Sequence, residues 1–496
     1  MLFKSPKATT LSSEVNVNNL KKKGIKALLW DTVSKISNQG VAFIVTIIMA
    51  RSLNPADFGL VAICLVFIGI ARIFTDVGLG AALIQQKKTT QLHFSSVFYF
   101  NIFVASFFTL ATYYSANTIA NFYGNASLTP LLEVCSLMFL LYASCSVQEK
   151  KLRKSLQYNV IAKASIISGL LSGIIGIALV LTGFGVWSLV FQAISSQVVK
   201  SLFLWGLSNW KPSLIFSLSS LKELWGFGFR MFLIGLIDSI YSRLDYLIIG
   251  KLYSMEVLGF FERAKNVNSL IIKYTSGTLM SVLFPVFSEI QNDLPRIQSI
   301  VKNSFTILSF TVFILIGGLY LTVQDLIVFL YSEKWLQSVK YAEILLLSAF
   351  SYPISALLVS ILSARGKSKT LLRLQIIEKS IATLNFVNAA IYGLESFLYG
   401  LIIVSFLTVL LNIIYAAKEI KLKAKEFIRP LTTSMSFSVI SIITTLHFVE
   451  LFSFSPLLLF IFKGGLFLLT YLCLNALFRT QGIIKSANML NLNKLI

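Results

Sequence analysis

Met49-Ala50-Arg51-Ser52-Leu53-Asn54-Pro55-Ala56-Asp57-Phe58-Gly59-Leu60 returns 200 residues later as Ile249-Gly250-Lys251-Leu252-Tyr253-Ser254-Met255-Glu256-Val257-Leu258-Gly259-Phe260. Each copy closes an apolar helix on a basic residue, makes a short turn, and opens a new apolar helix that soon reaches Gly. The register continues without a gap, so that Thr75 meets Thr275, Leu79 meets Leu279 and Leu83 meets Leu283. Asn54 is a helix-capping residue type, Pro55 suits a first helical position, and Asp57 falls near the positive end of the helix dipole. Ser254 and Glu256 take the same places in the second copy. Two related halves that share one apolar helical pattern imply a transporter built from repeats, with its path between them.

Composition sets the solvent. Of 496 residues, 56% are hydrophobic and 13% charged, too apolar for a soluble protein to cover its surface. The aliphatic runs are continuous rather than alternating over about ten residues, which excludes an outer-membrane barrel. Backbone groups in lipid must be satisfied within each segment, so the runs are helices. The net charge of +22 is spread over short loops between apolar spans, and no basic domain exists to bind nucleic acid. Lys21-Lys22-Lys23 precede an apolar stretch that carries Asp31 and Lys35 and has no small-residue cleavage site, so it is read as a span and not as a secretory signal.

A bilayer crossing needs about 20 apolar residues. Fourteen such spans start near Leu28, Asp57, His93, Leu128, Val160, Val186, Leu221, Glu256, Asn303, Gln337, Leu374, Phe397, Leu431 and Pro456. The expected fold is an all-α polytopic membrane protein with two pseudo-symmetric six-helix lobes plus two C-terminal helices. Its predicted divisions are a cytoplasmic tail (1–27), an N-lobe (28–206), an inter-lobe loop (207–220), a C-lobe (221–417), two appended spans (430–478) and a second cytoplasmic tail (479–496). Lys and Arg crowd alternate loops, and only Arg51, Lys251, Lys334 and Lys340 fall in the others. That bias places both termini in the cytoplasm.

Ten basic residues fall in or at the edges of spans: Lys35, Arg72, Lys200, Arg230, Arg243, Arg263, Lys265, Lys273, Lys379 and Lys463. A charge at mid-membrane costs roughly 2.5–3.5 kcal/mol on insertion scales and needs a cavity or a partner. Gly69, Arg72, Asp76 and Gly80 share one helical face. Arg230, Asp238 and Asp245 lie within about one face of span seven, and Glu262, Lys265, Asn266, Ser269, Lys273 and Ser276 form a stripe on span eight. The functional reading is a water-filled cavity with excess positive charge. The competing reading is interhelical ion pairs, or a local pair between Arg72 and Asp76. Arg243, Lys200 and Lys463 are expected to snorkel. Gly169, Gly173 and Gly176 line one helix with small residues, and Pro353 marks a kink in span ten.

Other chemistries find little support. Cys64, Cys135, Cys145 and Cys473 fall inside apolar spans without metal-type spacing and read as buried core residues. His93 and His447 sit near span ends without Asp or Cys neighbours in sequence, and read as surface residues. Arg365-Gly366-Lys367-Ser368 lacks the earlier glycine of a phosphate-binding loop, since position 361 is Ile361. No Ser/His/Asp set or large extramembrane domain suggests a hydrolase, so the chain is not expected to be an enzyme, and no metal or organic cofactor is predicted.

The chain resembles the Wzx-type polysaccharide flippases, including the colanic acid exporter branch, of the multidrug/oligosaccharidyl-lipid/polysaccharide superfamily. The resemblance runs from about Ala27 to Phe478. It rests on Ala50 to Leu60, on Asp76-Val77-Gly78-Leu79-Gly80-Ala81-Ala82-Leu83-Ile84-Gln85, and on Gly183-Phe184-Gly185-Val186-Trp187-Ser188-Leu189-Val190. Trp210-Lys211-Pro212, Arg243-Leu244-Asp245-Tyr246-Leu247-Ile248-Ile249-Gly250 and Leu283-Phe284-Pro285 add to it. Tyr253-Ser254-Met255-Glu256 is a looser version of the family's second hairpin.

The resemblance implies a fourteen-helix alternating-access transporter in the bacterial inner membrane. Such proteins move undecaprenyl-diphosphate-linked oligosaccharides to the outer leaflet for lipopolysaccharide or exopolysaccharide synthesis. On that reading Arg72, Arg230, Lys265 and Lys273 contact phosphate or acidic sugars. Asp76, Asp238, Asp245 and Glu262 balance charge or bind a coupling cation, H+ or Na+. Expected partners are the lipid-linked oligosaccharide, membrane lipids, and a polysaccharide polymerase with its chain-length machinery. A cation-coupled drug antiporter and a peptidoglycan-precursor flippase are the alternatives, with a membrane-embedded polysaccharide polymerase further off.

Overall fold

The computed structural model describes residues 14–450 and 456–489, apart from the side chains of 14–25, 28, 270–282, 284–285, 456–457 and 489. The described backbone is helices joined by short connections, without a strand. In chain order the helices are α1 (Glu14–Ser52), α2 (Pro55–Asp76), α3 (Leu79–Gln85), α4 (Gln91–Tyr123), α5 (Leu128–Ser136), α6 (Met138–Lys154), α7 (Tyr158–Leu181), α8 (Trp187–Leu207) and α9 (Leu218–Leu252). Then follow α10 (Met255–Glu289), α11 (Leu294–Tyr331), α12 (Leu336–Ser348), α13 (Ser351–Ala364), α14 (Ser368–Tyr392), α15 (Leu394–Glu419), α16 (Lys425–Val449), α17 (Pro456–Leu477) and α18 (Gln481–Met489).

The fourteen spans read from the sequence fall on fourteen helical rods, three of them broken in two: α2 with α3, α5 with α6, and α12 with α13. Among the described residues, ten stretches are long and apolar enough to cross a bilayer. The other four rods, α8, α9, α10 and α14, carry many of the charges that the sequence singles out. The chain is a multi-pass membrane protein. It divides into two compact units, one ending at Gly259 and one beginning at Phe260.

In the first unit the capping chemistry of the repeated turns is visible. The Asn54 backbone N–H donates to the Asp57 carboxylate at 3.0 Å, and the Ser254 hydroxyl accepts from the Val257 N–H at 3.2 Å. The first turns of α2 and α10 approach backbone to backbone. A Cβ on Gly59 would stand 1.8 Å from the Met255 carbonyl oxygen, and one on Gly259 would stand 1.8 Å from that of Pro55. Gly169, Gly173 and Gly176 of α7 likewise lie against Asn38, Val45 and Met49 of α1.

Span two is not continuous. Val77 and Gly78 both take left-handed backbone (φ 41° and 69°), ending α2 immediately after Asp76. Gly78 fits because a Cβ there would fall 2.0 Å from the Gly228 carbonyl oxygen of α9.

The segment before α9 is fastened to α4. The Trp210 indole N–H donates to the Gln91 side-chain oxygen at 2.6 Å, and the Gln91 amide donates to the Lys211 carbonyl at 2.7 Å. Trp210 packs with Phe94 and Phe98 in a buried cluster. His93, read from sequence as a surface residue, is buried here. Its Nδ1 accepts from the Thr90 backbone N–H, so Nε2 carries the proton and donates to Glu223 of α9 at 3.0 Å.

In the second unit α11 is the central rod, packed against α12, α13, α16, α17 and α18. Pro353 is buried in the first turn of α13, just past the break at Ala349 and Phe350. Lys463 of α17 meets Asp325 of α11 at 2.6 Å, with side-chain exposures of only 13% and 10%. The expected snorkelling of Lys463 is therefore replaced by a buried interhelical ion pair. Cys64, Cys135 and Cys145 are buried as expected; Cys473 is exposed on α17.

Candidate functional site

The charged face of α2 opens onto a recess of about 310 Å³ within the first unit. α2 contributes Arg72 and Asp76, α6 contributes Tyr142, Ser146, Glu149 and Lys150, α8 contributes Gln197 and Lys200, and α9 contributes Met231 and Phe232. The break at Val77–Gly78 ends α2 here, so Asp76 sits at a helix terminus on the recess wall. Gly80 leaves the room the acid needs, since a Cβ there would lie 2.5 Å from the Lys150 Cε and 2.6 Å from the Asp76 Oδ1.

The charges are arranged in pairs with one cation in excess. Lys150 Nζ is 3.6 Å from Asp76 Oδ2, and the Ser146 hydroxyl donates to Asp76 Oδ1 at 3.4 Å. Glu149 accepts from Lys200 of α8 at 2.8 Å and from Arg153 of its own helix at 2.8 Å. Arg72 has no ion pair among the described residues. Its guanidinium instead lies over the Tyr142 ring, 4.1 Å from the centroid. The recess lining thus carries Arg72, Lys150 and Lys200 against Asp76 and Glu149.

The sequence expectations divide accordingly. Arg72 and Asp76 are brought to one recess, but not as a local pair, because Asp76 belongs to Lys150. Lys200, expected to snorkel, holds Glu149 instead. Lys150 stands on the last turns of α6 and lines the recess. Arg243, also expected to snorkel, reaches across to α2. It donates to the Leu65 carbonyl at 3.4 Å and fills the space beside Gly69, where a Cβ would stand 2.5 Å from its Cζ.

Arg230 and Asp238 are exposed on α9 and do not line this recess. Asp245 is half-buried, with its carboxylate accepting from the Tyr246 N–H at 3.0 Å. In the second unit Glu262 is engaged by Arg263 at 2.5 Å and by Asn266 at 2.7 Å, and Lys265 lies over the Phe261 ring. The side chain of Lys273 lies outside the described residues.

Sequence reasoning missed Tyr142, Ser146, Glu149 and Lys150. Offsets of four, seven and eight residues from Tyr142 place them on one helical face, and that periodicity was the available signal. It was hidden because the last turns of α6 are so basic that they read as a loop.

The profile of the family described as "Polysaccharide biosynthesis protein" matches residues 48–340. The chain belongs to this family. Among curated relatives it is 26% identical to the succinoglycan biosynthesis transport protein ExoT of Rhizobium meliloti (strain 1021), over 62% of each chain. It is 26% identical to the teichuronic acid biosynthesis protein TuaB of Bacillus subtilis (strain 168), over 60% of this chain and 62% of that one. It is 24% identical to the lipopolysaccharide biosynthesis protein WzxC of Escherichia coli (strain K12), over 69% and 71%. The match thus spans 62% of the length of the first two relatives. The fold is that of the lipid II flippase MurJ in its inward closed conformation (TM-score 0.72, 17% identity, 91% of this chain and 98% of that one). An inward-facing multidrug resistance MATE family transporter of the MOP superfamily shares it at TM-score 0.59 and 16% identity, over 77% and 96%.

Proposed function

We propose that the protein is a bacterial inner-membrane transporter, with both termini cytoplasmic, that flips undecaprenyl-diphosphate-linked oligosaccharide units to the outer leaflet for surface polysaccharide synthesis. One observation carries this reading: the recess of the first unit holds a cation, Arg72, that the described chain does not neutralise. Moving an unpaired ion into a low-dielectric interior costs tens of kcal/mol, so a diphosphate does not cross hydrocarbon unaided. A guanidinium beside two paired lysines replaces part of its hydration, while the lipid tail stays in the membrane. Guanidinium geometry also matches phosphate bidentately. The names of the relatives support the pathway, since the three cited are named for the biosynthesis of succinoglycan, teichuronic acid and lipopolysaccharide.

In this reading Arg72 is the principal phosphate contact, and Arg230, Lys265 and Lys273 are further proposed contacts to phosphate or acidic sugars. Asp76, held by Lys150 and Ser146, is the acid best placed to exchange its partner for a coupling H+ or Na+. Asp238, Asp245 and Glu262 balance charge. Transport then proceeds without covalent chemistry, and a polymerase consumes the product on the outer face.

The deciding experiment is Arg72→Gln in a strain lacking the native copy. Surface polysaccharide should be lost and inward-facing lipid-linked units should accumulate at unchanged protein abundance. Normal polysaccharide with altered sensitivity to cationic dyes would replace this reading with drug antiport, and arrested growth with accumulated peptidoglycan precursor would replace it with precursor flipping.

A further inference from the structure

The second unit has a recess of its own, about 690 Å³ in volume, walled by α11, α16 and the chain from Phe478 into α18. Lys302, Lys423, Lys425, Arg429, Arg479 and Lys485 line it, with one carboxylate, Glu426. Glu426 stands 3.1 Å from Lys302, and among the described residues none of the other five cations is in an ion pair. Burial and the nearby Lys302 depress the pKa of Lys485 below the usual lysine range, with Glu426 opposing them. Six cations held around one acid constitute a site that an anion would relieve.

The wall is fixed in place by packing. Gly482 lets α18 lie against α11, since a Cβ there would fall 2.9 Å from the Phe310 Cβ. Ile483 enters the buried cluster of Phe310, Phe467 and Tyr471. The Thr480 hydroxyl donates to Asn475 at 2.7 Å and closes the turn that carries Arg479. The recess also has an apolar side. Phe437 and Phe478 pack with centroids 5.4 Å apart, and Leu477 and Phe478 are exposed beside them at the end of α17.

A cationic rim above an exposed apolar wall, at the end of membrane-crossing helices, matches an amphiphile with a phosphate head. We propose that this recess binds the phosphate headgroup of an anionic phospholipid from the adjacent leaflet, with an acyl chain along Phe437 and Phe478. The shared chemistry is a phosphate anion; the apolar wall is what favours a lipid source over free phosphate.

The test uses the purified full-length protein, delipidated in detergent and titrated with phosphatidylglycerol or phosphatidylcholine while bound lipid is counted by native mass spectrometry. The parent should take up phosphatidylglycerol in preference to phosphatidylcholine. Arg479→Gln with Lys485→Gln should weaken that binding by about thirtyfold, at roughly a factor of five for each cation removed near a membrane surface. Arg479→Lys with Lys485→Arg should retain it, and thermal midpoints no lower than the parent's in both variants would show that the fold is intact. Unchanged binding in the double Gln protein would overturn the site. Complete displacement of the lipid by millimolar inorganic phosphate would overturn the lipid assignment in favour of a soluble anion.

Discussion

Gly59 and Gly259, 200 residues apart in sequence, make reciprocal contacts: Gly59 admits the Met255 carbonyl and Gly259 admits the Pro55 carbonyl. Pro55 and Met255 are themselves equivalent in the repeat, so the two contacts are related by a local two-fold. Approach this close leaves no room for a methyl group, and Cα–H···O contacts are the expected attraction. Gly59→Ala and Gly259→Ala should each cost about 1–3 kcal/mol by overpacking. Because the contacts are equivalent, polysaccharide export should fall by similar factors in both. Parental export in either Ala protein would show that the approach is not needed for transport.

The Asp325–Lys463 pair calls for a different experiment. Removing one partner of a buried pair strands the other charge, at a cost of about 3–5 kcal/mol, whereas replacing both with apolar residues of similar size is often neutral. Lys463→Met alone should therefore lower stability strongly, and Asp325→Leu with Lys463→Met should recover most of it. Reversible unfolding in detergent measures this. A double variant as unstable as the single one would mean that the pair is not what holds α11 and α17 together.

What the sequence disclosed follows physical rules of different range. Span positions were legible because twenty-residue apolar runs and loop charges are local signals. The hairpin caps were legible because Asn54, Pro55 and Asp57 act within one turn. Arg72 and Asp76 were legible as a polar face on an apolar helix. Their partners were not, since Tyr142 and Lys150 reach them across about 70 residues of chain. The same limit explains Lys200 and Lys463: sequence shows a lysine near a span end, where snorkelling is the cheap solution, but not the acid on a neighbouring helix. The αL pair Val77–Gly78 carries no local sign of a break, since what it packs against is the backbone of α9 at Gly228, 150 residues away.

Glu149 joins α6 to α8 through Lys200 and also holds Arg153, so its loss should weaken the recess wall rather than its chemistry alone. Glu149→Gln should reduce folded protein in the membrane, and Glu149→Gln with Lys200→Met should restore part of it. Arg72→Gln, by contrast, breaks no ion pair and should leave abundance normal. Measuring abundance and export together separates the two roles. Equal loss of abundance in Arg72→Gln would remove the case for Arg72 as a substrate contact.

Lys485 offers a test by pH. Its pKa in the folded protein is depressed by burial and by Lys302, so between the folded and unfolded values the unfolded chain holds more protons. The sign follows: the charge of Lys485 opposes folding at neutral pH, and the penalty is relieved as pH rises through the depressed value toward 10.5. In phosphatidylcholine micelles Lys485→Gln should therefore melt slightly higher than the parent at pH 7, and the gap should close in alkaline buffer. Adding phosphatidylglycerol should reverse the order at pH 7, because a bound phosphate favours the charged lysine. An unaltered order with the anionic lipid present would mean that the phosphate does not reach Lys485.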